Sequence, residues 1–181
     1  MKKHLPILLY GAIAIFVGIF LLLSDYSSFN VLKLTLGISL IIGAISSFVG
    51  AYSSHRGQVA FAYHQMHALA TIVYGVSILV FGSSLERLIS ITALFFFFYA
   101  FSEIILCLRL FELATKVVYK IAALRFILGL AIGLGTVVAM HFSKFTLEGF
   151  GVLFVILGVN IMLYAPVMKV GNNDKIQYSN M

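Results

Sequence analysis

Apolar residues fall into six long blocks separated by short polar punctuation, at about 5–23, 31–52, 59–81, 88–110, 121–140 and 147–168. Roughly 20 apolar residues in a helix rising 1.5 Å each match the ~30 Å hydrocarbon core of a bilayer. The pattern therefore predicts an all-α, polytopic integral membrane protein: six transmembrane helices in one domain, 1–181. The first block imitates a signal peptide, but it is longer than a typical apolar region and no A-x-A cleavage pattern follows. It is expected to stay as the first helix, with Pro6 in the first turn where its missing donor costs nothing.

The punctuation is turn chemistry: SDYSSFN at 24–30, SSHRGQ at 53–58, the stretch 82–87, and HFSKFT at 141–146. Between the fourth and fifth blocks, Glu112, Lys116 and Lys120 stand at i,i+4 spacings, which predicts a helical extension or an interfacial helix over 109–120. The tail 169–181 is polar and expected to lie loose in the cytoplasm.

Charge changes the picture in two ways. Only 10% of residues are charged, less than half the ~25% of a soluble domain, so no separate soluble core is expected. The net charge of +6 is scattered between apolar blocks rather than gathered on a face, so nucleic acid is not an expected partner. Lys2, Lys3, Arg56, Arg109, Lys116, Lys120, Arg125, Lys169 and Lys175 fall on one side, and Lys33, Arg87 and Lys144 on the other. The positive-inside rule then puts both termini in the cytoplasm. The single cysteine, Cys107, excludes an intrachain disulfide and reads as a small buried apolar residue.

An internal repeat is visible. Tyr10-Gly11 is followed seven residues on by Gly18, and Tyr74-Gly75 by Gly82, while Ser46, Glu103 and Asn160 recur at equal spacing in the even-numbered helices. Three helical hairpins in one orientation fit this period. The third odd helix carries Gly129, Gly133 and Gly135 without the tyrosine. Three short hairpins, the YG-plus-glycine pattern and the small-residue stretch GISLIIGAISS resemble the HdeD family of bacterial acid-resistance membrane proteins. That resemblance spans nearly the whole chain. It implies a six-helix inner-membrane protein linked to acid stress, with no catalytic residues to carry over.

Candidate chemistry lies in one polar layer. Glu103 sits well inside the fourth block, where a carboxylate costs about 2.5 to 3.5 kcal/mol on insertion scales and so needs a partner. His64, His67, Ser46, Arg125 and Asn160 fall at similar depth, roughly 6 to 13 Å inside the cytoplasmic boundary. His64, His67, Thr71 and Tyr74 share one face of their helix. Glu103 is expected to pair with Arg125, or else with Arg109, and Asn160 or a histidine would complete its hydrogen bonds. A metal reading of Tyr63-His64-x-x-His67 with Glu103 lacks a further ligand at metal spacing, so neither metal nor cofactor is expected. No phosphate loop or nucleophile elbow is present.

Three functions compete: a non-enzymatic, HdeD-like stress protein whose polar cluster titrates, a small proton-coupled transporter or channel, and an enzyme acting on lipid headgroups. The first is the preferred expectation. The lipid bilayer is the expected partner, a homo-oligomer is compatible with the sequence, and no small-molecule or ion ligand can be named.

Overall fold

The computed structural model describes residues 4–23, 28–52, 59–113, 116–141 and 146–166. These residues are helical apart from short connections: α1 Leu5–Leu23, α2 Phe29–Tyr52, α3 Val59–Phe81, α4 Leu85–Leu113, α5 Lys116–His141 and α6 Thr146–Met162. All six helices are long and apolar enough to cross a membrane. Short connections force sequence neighbours to run antiparallel.

Each helix packs on its neighbours in sequence, and α1 packs on α6, so the six close into a ring. α4 and α6 also touch across it. They are the most interior helices, with 56% of their spans buried against 28% for α5. Outward faces are apolar on every helix, including Leu94, Phe101, Leu134, Val49 and Val80. A continuous apolar exterior is untenable in water and ordinary in lipid.

Backbones approach closely where glycines meet. A Cβ on Gly11 would lie 2.6 Å from the Gly158 carbonyl oxygen, and one on Gly18 would lie 2.6 Å from that of Gly151. The α1–α6 seam therefore tolerates no side chain at these four positions. Gly75 faces the Gly37 carbonyl in the same way across α2–α3, and Gly129 and Gly133 let α5 settle against Ala100 and Glu103 of α4. Small residues permit this in lipid, where tight van der Waals contact replaces the hydrophobic effect between helices.

The boundaries differ from expectation in informative places. α4 begins at Leu85 rather than 88 because Ser84 caps it, its Oγ accepting the Arg87 N–H at 3.3 Å. The stretch 109–120 forms no separate interfacial helix among the described residues. It is shared between an α4 that runs to Leu113 and an α5 that starts at Lys116. Helical backbone in the last span resumes after a turn at Leu163 and reaches Pro166. The SSHRGQ loop and the tail 169–181 lie outside the described residues.

Candidate functional site

A buried ion pair lies in the core of the ring. Glu103 on α4 and Arg125 on α5 both have no exposed surface. Arg125 Nε donates to Glu103 Oε1 at 2.7 Å and Nη2 donates to Oε2 at 2.7 Å. This two-pronged geometry matches a planar guanidinium to a carboxylate and is the strong form of the interaction. Glu103 lies about 15 Å from the end of α4, and Arg125 about 14 Å from the start of α5. Antiparallel neighbours bring those depths level, and Gly129, one turn beyond Arg125, lets α5 lie against the Glu103 side chain.

Tyr164, just past the turn that ends α6, covers the pair. The Arg125 guanidinium carbon stands 3.5 Å from the centre of the Tyr164 ring, a cation–π contact stripped of water. Its hydroxyl lies 2.8 Å from His67 Nδ1 and 3.4 Å from Glu103 Oε2. His67 Nδ1 is 3.8 Å from Glu103 Oε2, too far for a direct bond, so the hydroxyl bridges them.

The protonation pattern follows from donor accounting. Ser102 Oγ donates to the Tyr99 carbonyl at 3.0 Å, so at 2.6 Å it accepts from His67 Nε2. With His67 as the Nε2–H tautomer, Nδ1 is an acceptor and the one Tyr164 hydrogen points to it; with both ring nitrogens protonated, that hydrogen serves Glu103 Oε2 instead. A proton arriving at Nδ1 reverses that bond. The Tyr164 hydroxyl then accepts from His67 and turns its own hydrogen toward Glu103. Ser102, His67, Tyr164 and Glu103 thus form a reversible hydrogen-bond chain.

The remaining expected residues distribute around this centre. His64, one turn before His67 on the same face, shares a 2.8 Å hydrogen bond with Ser47 of α2 and packs its ring 4.9 Å from that of Tyr164. Ser46 is only half-buried, and its neighbour Ser47, fully buried, is the one that meets α3. Asn160 does not reach Glu103; its Nδ2 donates to Tyr99 Oη at 3.3 Å. Arg109 is exposed and is not the partner of Glu103. Thr71 and Tyr74 complete the α3 stripe: Thr71 accepts from Tyr10 of α1 at 2.5 Å, and Tyr74 donates to Thr92 of α4 at 2.9 Å.

Tyr164, Tyr99 and Ser102 escaped the sequence reading, and so did the part played by Cys107, whose Sγ lies 3.5 Å from Glu103 Oε1. A signal existed for three of them. Tyr99 and Cys107 flank Glu103 at four residues on either side, and Tyr164 follows Asn160 by four, so each shares a helix face with a polar anchor.

Rings close the core on the far side of this layer. Tyr74 and Phe95 stack at 4.4 Å, Phe96 packs on Phe154 at 4.8 Å, and Phe96 on Phe150 at 5.8 Å. Among the described residues, no group of three or more His, Cys, Asp or Glu side chains is placed to hold a metal ion. No protein-family model, curated protein or solved structure matches the chain.

Proposed function

We propose that this chain is a non-enzymatic, multi-pass protein of a bacterial inner membrane, of the HdeD-like acid-resistance type, whose charge-balanced core responds to acid. The observation that carries the reading is the pairing of one buried carboxylate with one buried guanidinium, with an imidazole one hydroxyl away. A single added proton upsets the balance whichever group receives it. On Glu103 it discharges the carboxylate and strands Arg125; on His67 it sets two cations against one anion. Stranding one member of a buried pair costs about 3 to 5 kcal/mol, a large share of the ~5 to 15 kcal/mol that holds a typical fold together. Acid therefore loosens the packing of α4, α5 and α6 around the pair.

The three-hairpin repeat is part of this reading. Its support is that α1–α6, α2–α3 and α4–α5, the seams between successive hairpins, all place a glycine of an odd helix against an even one. The basic residues favour cytoplasmic termini, which sets the start of α5 and the end of α4 on the cytoplasmic side.

Survival of acid challenge tests the role. A strain lacking the chain should lose viability in acid, recover with the wild-type gene, and fail to recover with Glu103→Gln/Arg125→Gln. Undiminished survival of the deletion strain would refute it. The hydrogen-bond chain through His67 and Tyr164 favours a second reading, a proton-coupled transporter or channel. Proton flux into liposomes above the empty-vesicle rate, abolished by Glu103→Gln, would select that reading; the aromatic closure beyond the polar layer argues for none.

A further inference from the structure

Two buried polar atoms in the core have no hydrogen-bond partner among the described residues, and they are chemically complementary. Arg125 spends Nε and Nη2 on Glu103, leaving the two N–H donors of Nη1 unmatched. Asn160 spends Nδ2 on Tyr99, leaving Oδ1 unmatched. Both residues have no exposed surface. An orphaned buried donor or acceptor costs about 1 to 3 kcal/mol, and these two flank the hydrogen-bonded chain of Ser102, His67, Tyr164 and Glu103.

Tyr99 links the two. Its hydroxyl accepts from Asn160, and it lies within electrostatic reach of Arg125. Having accepted, that hydroxyl still has a hydrogen to donate. Asn160, near the end of α6, also stands four residues before Tyr164, and the Tyr164 ring carries the Arg125 guanidinium. The unmatched atoms thus belong to side chains held on adjoining rings of one cluster.

We propose that the cluster binds a buried water molecule between Arg125 Nη1, Asn160 Oδ1 and the Tyr99 hydroxyl. Water is the occupant this chemistry selects. The ion pair is already neutral, so an ion of either sign would add an uncompensated charge, whereas water offers the acceptor that Nη1 needs and the donor that Oδ1 needs. A buried water has two to four polar partners, and this one has three. Such a molecule gives Nη1 and Oδ1 each a partner beneath the ring seal formed by Phe95, Phe96 and Phe154, and it holds whether or not the cluster responds to acid.

Radiolytic hydroxyl footprinting of the purified protein in detergent at neutral pH tests it, because hydroxyl radicals made from a trapped water oxidise only the side chains it touches. Tyr99 should be oxidised despite its complete burial, and Phe96 and Phe154, equally buried, should not. Asn160→Leu should remove the Tyr99 signal while leaving the fold intact by thermal unfolding. An unlabelled Tyr99 in the wild type would overturn the proposal. So would labelling of Tyr99 that Asn160→Leu leaves unchanged. Should Asn160→Leu fail to fold, the flexible and uncharged Asn160→Met serves instead: it too lacks Oδ1 and should lose the label, and a label retained in a folded Asn160→Met would count against the site.

Discussion

Replacing Glu103 by Gln strands Arg125 in a core that, among the described residues, has no other anion to offer it. Four facts set the magnitude: both side chains are fully buried, both prongs of the contact are 2.7 Å long, Arg109 is exposed elsewhere, and Tyr164 seals the guanidinium from above. Removing one member of such a pair costs about 3 to 5 kcal/mol. For a chain of this size that corresponds to roughly 10 °C in unfolding temperature. Arg125→Gln should cost a similar amount by leaving the carboxylate bare. The two together should cost no more than either alone, because both introduced amides are neutral and can hydrogen-bond to each other. The coupling energy is then about 3 kcal/mol or more. The assay is thermal unfolding of the four proteins in one detergent near neutral pH, closed as a double-mutant cycle. Additivity within about 0.5 kcal/mol would refute the pairing argument, since independent sites behave that way.

Other expectations follow from neighbouring contacts. Gly158→Leu puts a side chain where the Gly11 carbonyl oxygen would lie 2.5 Å from its Cβ, so it should part α1 from α6 and lower the unfolding temperature in detergent; wild-type stability would contradict the seam. Tyr164→Phe keeps the ring over Arg125 but removes the bridging hydroxyl, at a cost of about 1 to 3 kcal/mol, and Tyr164→Leu should cost more by losing the cation–π contact as well. Equal losses for the two would show that the ring contributes nothing. A topology reporter fused after Ser84 should read outside the cell and one at the C terminus inside; a cytoplasmic Ser84 would reverse the orientation.

Much of the architecture is legible in the residue pattern. Six apolar blocks give six helices because a long apolar segment pairs its own backbone groups most simply within one helix. The 3,4,3 spacing of His64, His67, Thr71 and Tyr74 puts all four on the inner face of α3, where they lie buried. Depth alone brings Glu103 and Arg125 level. Helix phase is less legible. Adjacent residues differ by about 100° around a helix, and the equal spacing that singles out Ser46 carries no information on which way α2 is turned; the packing of α2 on α3 selects Ser47. Tyr164 is hidden for a different reason. A tyrosine near the end of a membrane helix ordinarily marks the lipid–water interface, and only the inward turn of α6, fixed by its glycine contacts with α1, carries it over Arg125.

The chain carries its own reporter for the central claim. Cys107, the single cysteine, is buried one turn from Glu103 with its sulfur 3.5 Å from the carboxylate. A disulfide reagent that reacts with thiols in acid, such as dithiodipyridine, reads its access to solvent while the protein in lipid nanodiscs is taken from about pH 7 to about pH 4, the span over which imidazoles and carboxylates take up protons. If protonation unbalances the buried charges, Cys107 is protected at the upper end and reacts as the pH falls, and Glu103→Gln/Arg125→Gln, with no ion pair to unbalance, removes that dependence on pH. Cys107 equally protected throughout the range, or a wild type and double variant that respond alike, would contradict an acid-responsive core.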